Sequence, residues 1–167
     1  MRKKHGMQIA FVLYAALMIW LLFFQNVRIP DYSAADYWQE VCSGWNLKPF
    51  RTVRNFADVL LRKAYYIEKW GSASVYAEEA RHAVINLGGN VGMFIPLGFF
   101  LPGVFAKLRK FWKILLASGA IICTVELLQL FSLLGHCDID DLILNLIGVA
   151  IGYGIFAILQ KMKQEPV

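Results

Sequence analysis

The stretch Ile114–Leu134, ILLASGAIICTVELLQLFSLL, is almost wholly apolar and carries one charged side chain, Glu126. A helix needs about 20 apolar residues to cross a hydrocarbon core of about 30 Å, because it rises about 1.5 Å per residue. This stretch therefore predicts a transmembrane helix.

Three more stretches have the same length and character: Met7–Phe24, Val84–Phe105 and Leu142–Leu159. The chain of 167 residues is 58% hydrophobic and has a mean hydropathy of +0.50, whereas soluble domains are about 45–50% apolar. We predict an all-α membrane protein, in which residues 1–167 form one domain built on a bundle of four transmembrane helices.

The loop 25–83 between the first two spans is too long to lack structure of its own. Apolar residues recur within Thr52–Trp70 at helical spacing, among them Val53, Phe56 and Leu60. This periodicity predicts an amphipathic helix that lies on the membrane or caps the bundle.

The net charge of +5 could suggest a nucleic-acid partner, but the distribution of charge argues against one. Nine of the seventeen Lys and Arg residues flank the spans on alternate crossings: Arg2, Lys3, Lys4, Lys107, Arg109, Lys110, Lys113, Lys161 and Lys163. The positive-inside rule then places both termini in the cytoplasm and the loop 25–83 outside. We expect a multi-pass protein of the bacterial cell membrane. Its expected partner is the lipid bilayer, and we expect no nucleic-acid partner. No small-x-small site follows the first span, so we interpret that span as a retained helix and not as a cleaved signal peptide.

Polar side chains lie inside three of the predicted spans: Asn86, Asn90, Glu126, Gln129, Asp141 and Asn145. In this topology the asparagines and Asp141 fall in the outer turns of the second and fourth spans. Glu126 lies about 18 Å along the third, which runs outward. All six are therefore expected to converge in the outer leaflet, beneath the turn that contains Asp138. Together with Asp138 they form a candidate binding cluster of seven residues.

Two interpretations of this cluster stay open on the residues alone. The amides can form a structural network around Glu126, or the cluster can line a pocket for a polar head group, since membrane-buried polar residues commonly mark ligand sites. His136, Asp138, Asp140 and Asp141 could in principle bind a divalent cation. An acidic turn at a membrane surface is more often simply solvated, so we predict neither a metal nor another cofactor.

Other residues have expected roles in packing. Gly148 and Gly152 form a small-xxx-small pair, which allows close approach of helices, and Pro96 is expected to kink or open the second span. A disulfide between Cys42 and Cys137 stays open, because both cysteines are expected outside.

Several segments together resemble the VanZ-like family of small bacterial membrane proteins. They are Asn46–Phe50 (NLKPF), Asn90–Gly98 (NVGMFIPLG), Glu126–Gln129 (ELLQ), Asp138–Asp141 (DIDD), and Asn145 with Gly148. They occur in the family's order and cover most of residues 46–154. Leu146 departs from the pattern, since a threonine commonly follows the asparagine.

The resemblance implies an association with resistance to teicoplanin-type glycopeptides, which is the property of the founding member; most relatives have no defined biochemistry. Our first hypothesis is a non-enzymatic protein whose outer cluster binds or shields a lipid-linked cell-wall precursor, a lipid, or a glycopeptide or lipopeptide. The alternative is a membrane-embedded hydrolase or transferase that uses Glu126 with Asp138 or Asp141 as an acid/base pair. A structural protein that scaffolds a partner is the third possibility.

Overall fold

The computed structural model describes residues 2–24 and 33–163. The start of the predicted loop, residues 25–32, and the last residues, 164–167, lie outside the described residues. The helices in the described part are α1 (Arg2–Phe23), α2 (Ala34–Ser43), α3 (Arg51–Leu61), α4 (Lys63–Trp70), α5 (Ala73–Val104), α6 (Phe111–Phe131) and α7 (Ile139–Met162). The two-residue strands β1 (Trp45–Asn46) and β2 (Cys137–Asp138) pair in parallel, and a 3₁₀ turn covers Ala106–Leu108.

The four long helices α1, α5, α6 and α7 are each long and apolar enough to cross a membrane. The prediction of an all-α membrane protein with four spanning helices is therefore confirmed. The helices extend beyond the apolar stretches, most clearly in α5, which begins at Ala73 where the side chain of Ser72 accepts from the Val75 N–H. Its 32 residues measure about 48 Å, so its polar first turns extend beyond a hydrocarbon core.

The closest helix contact in the bundle joins α5 and α7, and glycines line it. A Cβ at Gly148 would overlap the carbonyl oxygen of Val91, and one at Gly152 would overlap that of Ile95. In return, a Cβ at Gly98 would overlap the Val149 carbonyl. The two backbones thus lie against each other. Pro96 lies in this segment of α5, and the helix continues through it.

Among the described residues, Tyr14 and Gln129 form side-chain hydrogen bonds to the backbone that attach helix α1 to the bundle. The Tyr14 hydroxyl donates to the Met93 carbonyl of α5 over 2.8 Å, and Gln129 Nε2 of α6 donates to the Leu22 carbonyl over 3.0 Å. Both bonds reach carbonyls in apolar surroundings, where polar groups need partners.

Helices α2, α3 and α4 with strand β1 form a layer over one end of the bundle, which we call the cap. The Tyr37 hydroxyl of α2 donates to the Phe131 carbonyl at the end of α6 over 2.8 Å, and the Cys137 N–H donates to the Gly44 carbonyl over 2.9 Å. Helices α3 and α4 pack on the first turns of α5. The cap is therefore fixed to three of the four spanning helices or their connecting turns.

The single helix expected over Thr52–Trp70 is divided at Arg62 into α3 and α4. The bend allows the Tyr66 hydroxyl to donate to the Asp58 carboxylate over 2.8 Å. In a straight helix these residues, eight positions apart, would be separated by about 12 Å along the axis. The amphipathic helix is present as α3.

The opposite end of the bundle holds the basic turn between α5 and α6, and we call it the basic end. The Tyr153 hydroxyl of α7 donates to the Arg109 carbonyl there over 2.8 Å, and Met7 of α1 lies against Gly103. The beginning of α1 and the last turns of α7 therefore lie at the basic end, as a protein with four crossings requires.

Candidate functional site

The carboxylate of Asp140 accepts hydrogen bonds from the first turn of α3, which lies about 90 positions earlier in the chain. Asp140 is 0% exposed, and it accepts the backbone N–H groups of Phe50, Thr52 (2.7 Å) and Val53 (3.1 Å). Helix N-termini leave such N–H groups without intrahelical partners and favour negative charge. Asp140 therefore pairs the free N–H groups at the N-terminus of α3. Its hydrogen bond to Phe50 also holds that residue in a left-handed conformation (φ 62°), which non-glycine residues rarely adopt.

Asp138 joins the same two segments through its own carboxylate. Its Oδ2 accepts from Asn46 Nδ2 (2.9 Å) and from the Thr52 hydroxyl (2.6 Å), while its Oδ1 accepts from the Asp140 N–H (2.8 Å) as the N-cap of α7. Both carboxylate oxygens are thus engaged. The expectation that the acidic turn is simply solvated is wrong for Asp140, because the cap covers it.

Glu126 and Asp141 lie next to Asp138, because each of them lines a cavity that Asp138 also lines. Asp141 accepts from Asn90 Nδ2 of α5. Glu126 is only 7% exposed. The structure therefore brings four of the seven expected cluster residues together at the junction of α5, α6, α7 and the cap.

Two asparagines extend this group, and each has an unpaired oxygen. Asn86 Oδ1 and Asn145 Oδ1 are buried and have no hydrogen-bond partner among the described residues, and Asn145 is 3% exposed. Asn145 lies one turn along α7 from Asp141, and Asn86 one turn before Asn90 on α5. A buried amide oxygen without a partner is costly, so water or a ligand is expected to donate to it.

Gln129 lies apart from the other cluster residues. Its amide faces α1, where it donates to the Leu22 carbonyl, and it lines a separate small cavity with Phe23 and Leu134. Its place one turn after Glu126 on α6 puts it on an adjoining face. Its role in the structure is the attachment of α1.

Two cavities meet at this group. The polar pocket, of about 460 Å³, opens beneath the cap, and its lining includes Asn46, Arg51, Asn86, His136, Asp138 and Asp141. The side cleft, of about 220 Å³, opens between α6, α7 and β1, and its lining includes Trp45, Leu47, Cys123, Glu126, Cys137 and Leu142. Trp45 and Asp138 line both cavities, so they separate a polar compartment from an apolar one.

The three cysteines are free thiols, so the disulfide considered for Cys42 and Cys137 is not formed. Cys123 and Cys137 line the side cleft, whereas Cys42 is exposed on α2. Burial, followed by the nearby acidic group of Glu126, raises the pKa of the Cys137 thiol above its ordinary value. Because only the thiolate reacts, a raised pKa leaves less of the reactive form at neutral pH.

We therefore expect alkylation of Cys137 by a maleimide to be slow at neutral pH and to rise with a midpoint above about 8.5, the value of a free thiol. Mass spectrometry of the labelled protein at a series of pH values measures the midpoint. A midpoint at or below that of free cysteine in the same buffer would contradict the buried position of this thiol.

Sequence reasoning did not identify three residues that organise the site. Asn46 and Thr52 partner Asp138, and Trp45 stands between the two cavities. The signal available for Asn46 was its place in the Asn46–Phe50 motif. Within the described ranges, no group of three or more His, Cys, Asp and Glu side chains is arranged to hold a metal ion.

Comparison with known proteins identifies a family for this chain. A family model described as VanZ/LLP1 matches residues 11–160, which is most of the chain. No curated protein and no solved structure matches the chain.

Proposed function

This chain belongs to the VanZ/LLP1 family, and from that premise we propose that it is a non-enzymatic membrane protein that binds an amphiphile at its cap end. The ligand is a lipid-linked cell-wall precursor, a lipid, or a glycopeptide or lipopeptide, and its binding shields the cell-wall target or the membrane from a drug. The observation that carries the proposal is the meeting of a polar and an apolar cavity at Trp45 and Asp138.

The charge distribution supports an outward-facing cap end. Four basic residues lie in or beside the turn at the basic end: Lys107, Arg109, Lys110 and Lys113. Because short cytoplasmic loops are enriched in Lys and Arg, the basic end is assigned to the cytoplasm and the cap to the outer surface. Glycopeptides and lipid-linked precursors are encountered on that surface.

The dimensions and chemistry of the cavities support an amphiphile as the ligand. The volume of the polar pocket, about 460 Å³, is within the roughly 300–1,000 Å³ typical of small-molecule sites. The side cleft is bounded by Leu127 and Cys123, which are exposed on α6 and would face lipid in a bilayer. A head group in the pocket and a chain in the cleft would enter without leaving the membrane.

The catalytic alternative has weaker support in the arrangement of the carboxylates. A general acid or base needs an oxygen that is free to reach the substrate. Asp138 has both oxygens occupied by the cap and by the start of α7, which leaves Glu126 with Asp141 for that role. If the purified protein formed product from a lipid-linked substrate, the catalytic hypothesis would be supported and the non-enzymatic proposal would be wrong.

The test of the proposal is replacement of Glu126. We expect Glu126→Ala and Glu126→Gln to weaken ligand binding by about 10–100-fold, the scale of a hydrogen bond to a charged group. In cells, glycopeptide tolerance should fall to that of cells without the protein. Binding of a teicoplanin-type drug and of a lipid-linked precursor to protein in nanodiscs provides the direct measurement.

Glu79→Ala is the matched control, because this carboxylate is exposed on the first turns of α5, away from both cavities. It should retain wild-type binding and tolerance. If well-folded Glu126 variants bind every ligand as tightly as wild type and retain tolerance, the proposed site is wrong.

A further inference from the structure

We propose that a groove between α3 and α5, separate from the polar pocket and the side cleft, binds the phosphate group of a membrane lipid. The groove measures about 690 Å³ and is lined by Phe56, Arg81, His82, Ile85 and Asn86. This inference goes beyond the proposed function, because it assigns a second site whose ligand is a lipid of the surrounding bilayer.

The first argument is the sign of the charge that lines the groove. Arg81 and His82 are its basic side chains, and both are exposed. No Asp or Glu lines the groove, and no ion pair joins Arg81 to a carboxylate in the part of the chain that the structure describes. The groove therefore favours an anion, in contrast to the polar pocket, which two carboxylates also line.

The second argument is the arrangement of the donors. Nη2 of Arg81 and Nε2 of His82 lie 3.4 Å apart, so the guanidinium and the imidazole lie side by side at the groove. A guanidinium carries five N–H donors in a planar fork, and the contact with His82 involves one of its nitrogens. The parallel N–H groups of such a fork match two oxygens of a phosphate, which is why arginine commonly recognises phosphate groups.

The third argument is the position of the groove along α5. Arg81 and His82 directly precede residues 83–104, a stretch of α5 that contains no Asp, Glu, Lys, Arg or His. Ile85, one turn after Arg81, is 56% exposed and lines the same groove. In a bilayer the groove therefore crosses the border between the head groups and the hydrocarbon core, with its basic side chains on the head-group side.

This order of groups favours a phospholipid over a free anion. A lipid phosphate would lie against Arg81 and His82 while its acyl chain covers the apolar surface of Ile85. Soluble phosphate would gain the polar contact alone. Asn86 lines the polar pocket as well as the groove, so the two sites adjoin each other.

Chemical modification of the native arginines provides a direct measurement. Arg54 is the internal control, because it is exposed on α3 and does not line the groove. Full-length protein in dodecyl maltoside micelles is treated with phenylglyoxal, which modifies accessible guanidinium groups, in the presence of dioleoylphosphatidylglycerol, dioleoylglycerol or sodium phosphate. Site-resolved mass spectrometry gives the rate of modification at each arginine.

We expect dioleoylphosphatidylglycerol to protect Arg81 with an apparent Kd at least about tenfold below that of dioleoylglycerol, the lower end for hydrogen bonds to a charged group. Sodium phosphate at the same concentration should not protect Arg81, and Arg54 should react alike in all samples. In a lipid titration followed by native mass spectrometry, Arg81→Gln should lose the preference for the phospholipid over dioleoylglycerol. The matched variant Arg54→Gln should retain it.

Four results would overturn this inference. Equal protection of Arg81 by the two lipids would show that apolar contact suffices, and equal protection by sodium phosphate would exclude the lipid as the specific ligand. Equal protection of Arg81 and Arg54 would show a diffuse effect of surface charge, and an unchanged rate at Arg81 would show that the groove binds none of the probes. In each case, ligand binding that depends on Glu126 would still support the proposed function.

Discussion

Asp140→Ala is expected to detach the cap from the bundle and to abolish ligand binding at the cap end. The substitution removes the acceptor of three backbone N–H groups, those of Phe50, Thr52 and Val53. Each buried donor that is left unpaired costs about 1–3 kcal/mol, so the attachment of α3 should lose about 3 kcal/mol or more. This loss is large beside the free energy of local opening, which ranges from about 0 up to the global value of about 5–15 kcal/mol.

Hydrogen exchange followed by mass spectrometry, with the protein in nanodiscs, measures this effect. In Asp140→Ala, amides in residues 45–70 should exchange much faster than in wild type, while those within α5 and α7 stay protected. Asp140→Asn retains one acceptor oxygen and should be intermediate. Glu79→Ala, which removes an exposed carboxylate, is the control and should match wild type.

Unchanged protection of residues 50–53 in Asp140→Ala would show that another group caps α3. The result would then contradict the central role of Asp140. Since β1 positions Trp45 between the two cavities, loss of the cap should also abolish binding without any change at Glu126.

Gly148→Ala and Gly152→Ala should destabilise the bundle by about 3 kcal/mol each, the upper end of the range for overpacking. The added methyl would overlap a backbone carbonyl of α5, that of Val91 or of Ile95. A side chain can rotate away from such an overlap, but a helix backbone cannot. The two helices must therefore separate, and their shared contact is lost along its length.

Gly154→Ala is the matched control on the same helix. A Cβ at Gly154 has no atom within 4 Å among the neighbours considered for it, so the substitution creates no clash. Alanine favours a helix over glycine by up to about 1 kcal/mol. We expect Gly154→Ala to be neutral or slightly stabilising.

Unfolding by SDS in mixed micelles, followed by loss of helical circular dichroism, compares the three variants with wild type. If Gly148→Ala and Gly152→Ala unfold at the same SDS fraction as Gly154→Ala, the close approach of α5 and α7 is wrong.

Much of the architecture could be predicted because it depends on short stretches of sequence. A run of about 20 apolar residues has few alternatives to a membrane helix, since every backbone polar group in lipid must be paired internally. The four spans could therefore be predicted, and the amphipathic periodicity identified α3. The family was recognised separately, from the resemblance of short motifs such as Asn90–Gly98. Hydropathy alone did not indicate the extension of α5 to Ala73, because those turns are polar.

The tertiary structure decided which polar groups meet, and it distinguished residues of the same type. Asp138, Asp140 and Asp141 look alike as neighbours in the sequence, yet the first two bind the cap and the third binds Asn90. The partners of Asp140 lie about 90 positions earlier in the chain. Gln129 likewise contacts α1 rather than the group around Glu126.

The sequence by itself determined the number of membrane-spanning helices and the polar residues within them. The reason is that the free energy of inserting a helix is a sum over the residues of that helix. Only the tertiary structure decided which of those residues support the cap and which face a cavity. That division depends on the partners that packing brings within hydrogen-bonding distance, and a carboxylate is satisfied or unsatisfied only by what surrounds it.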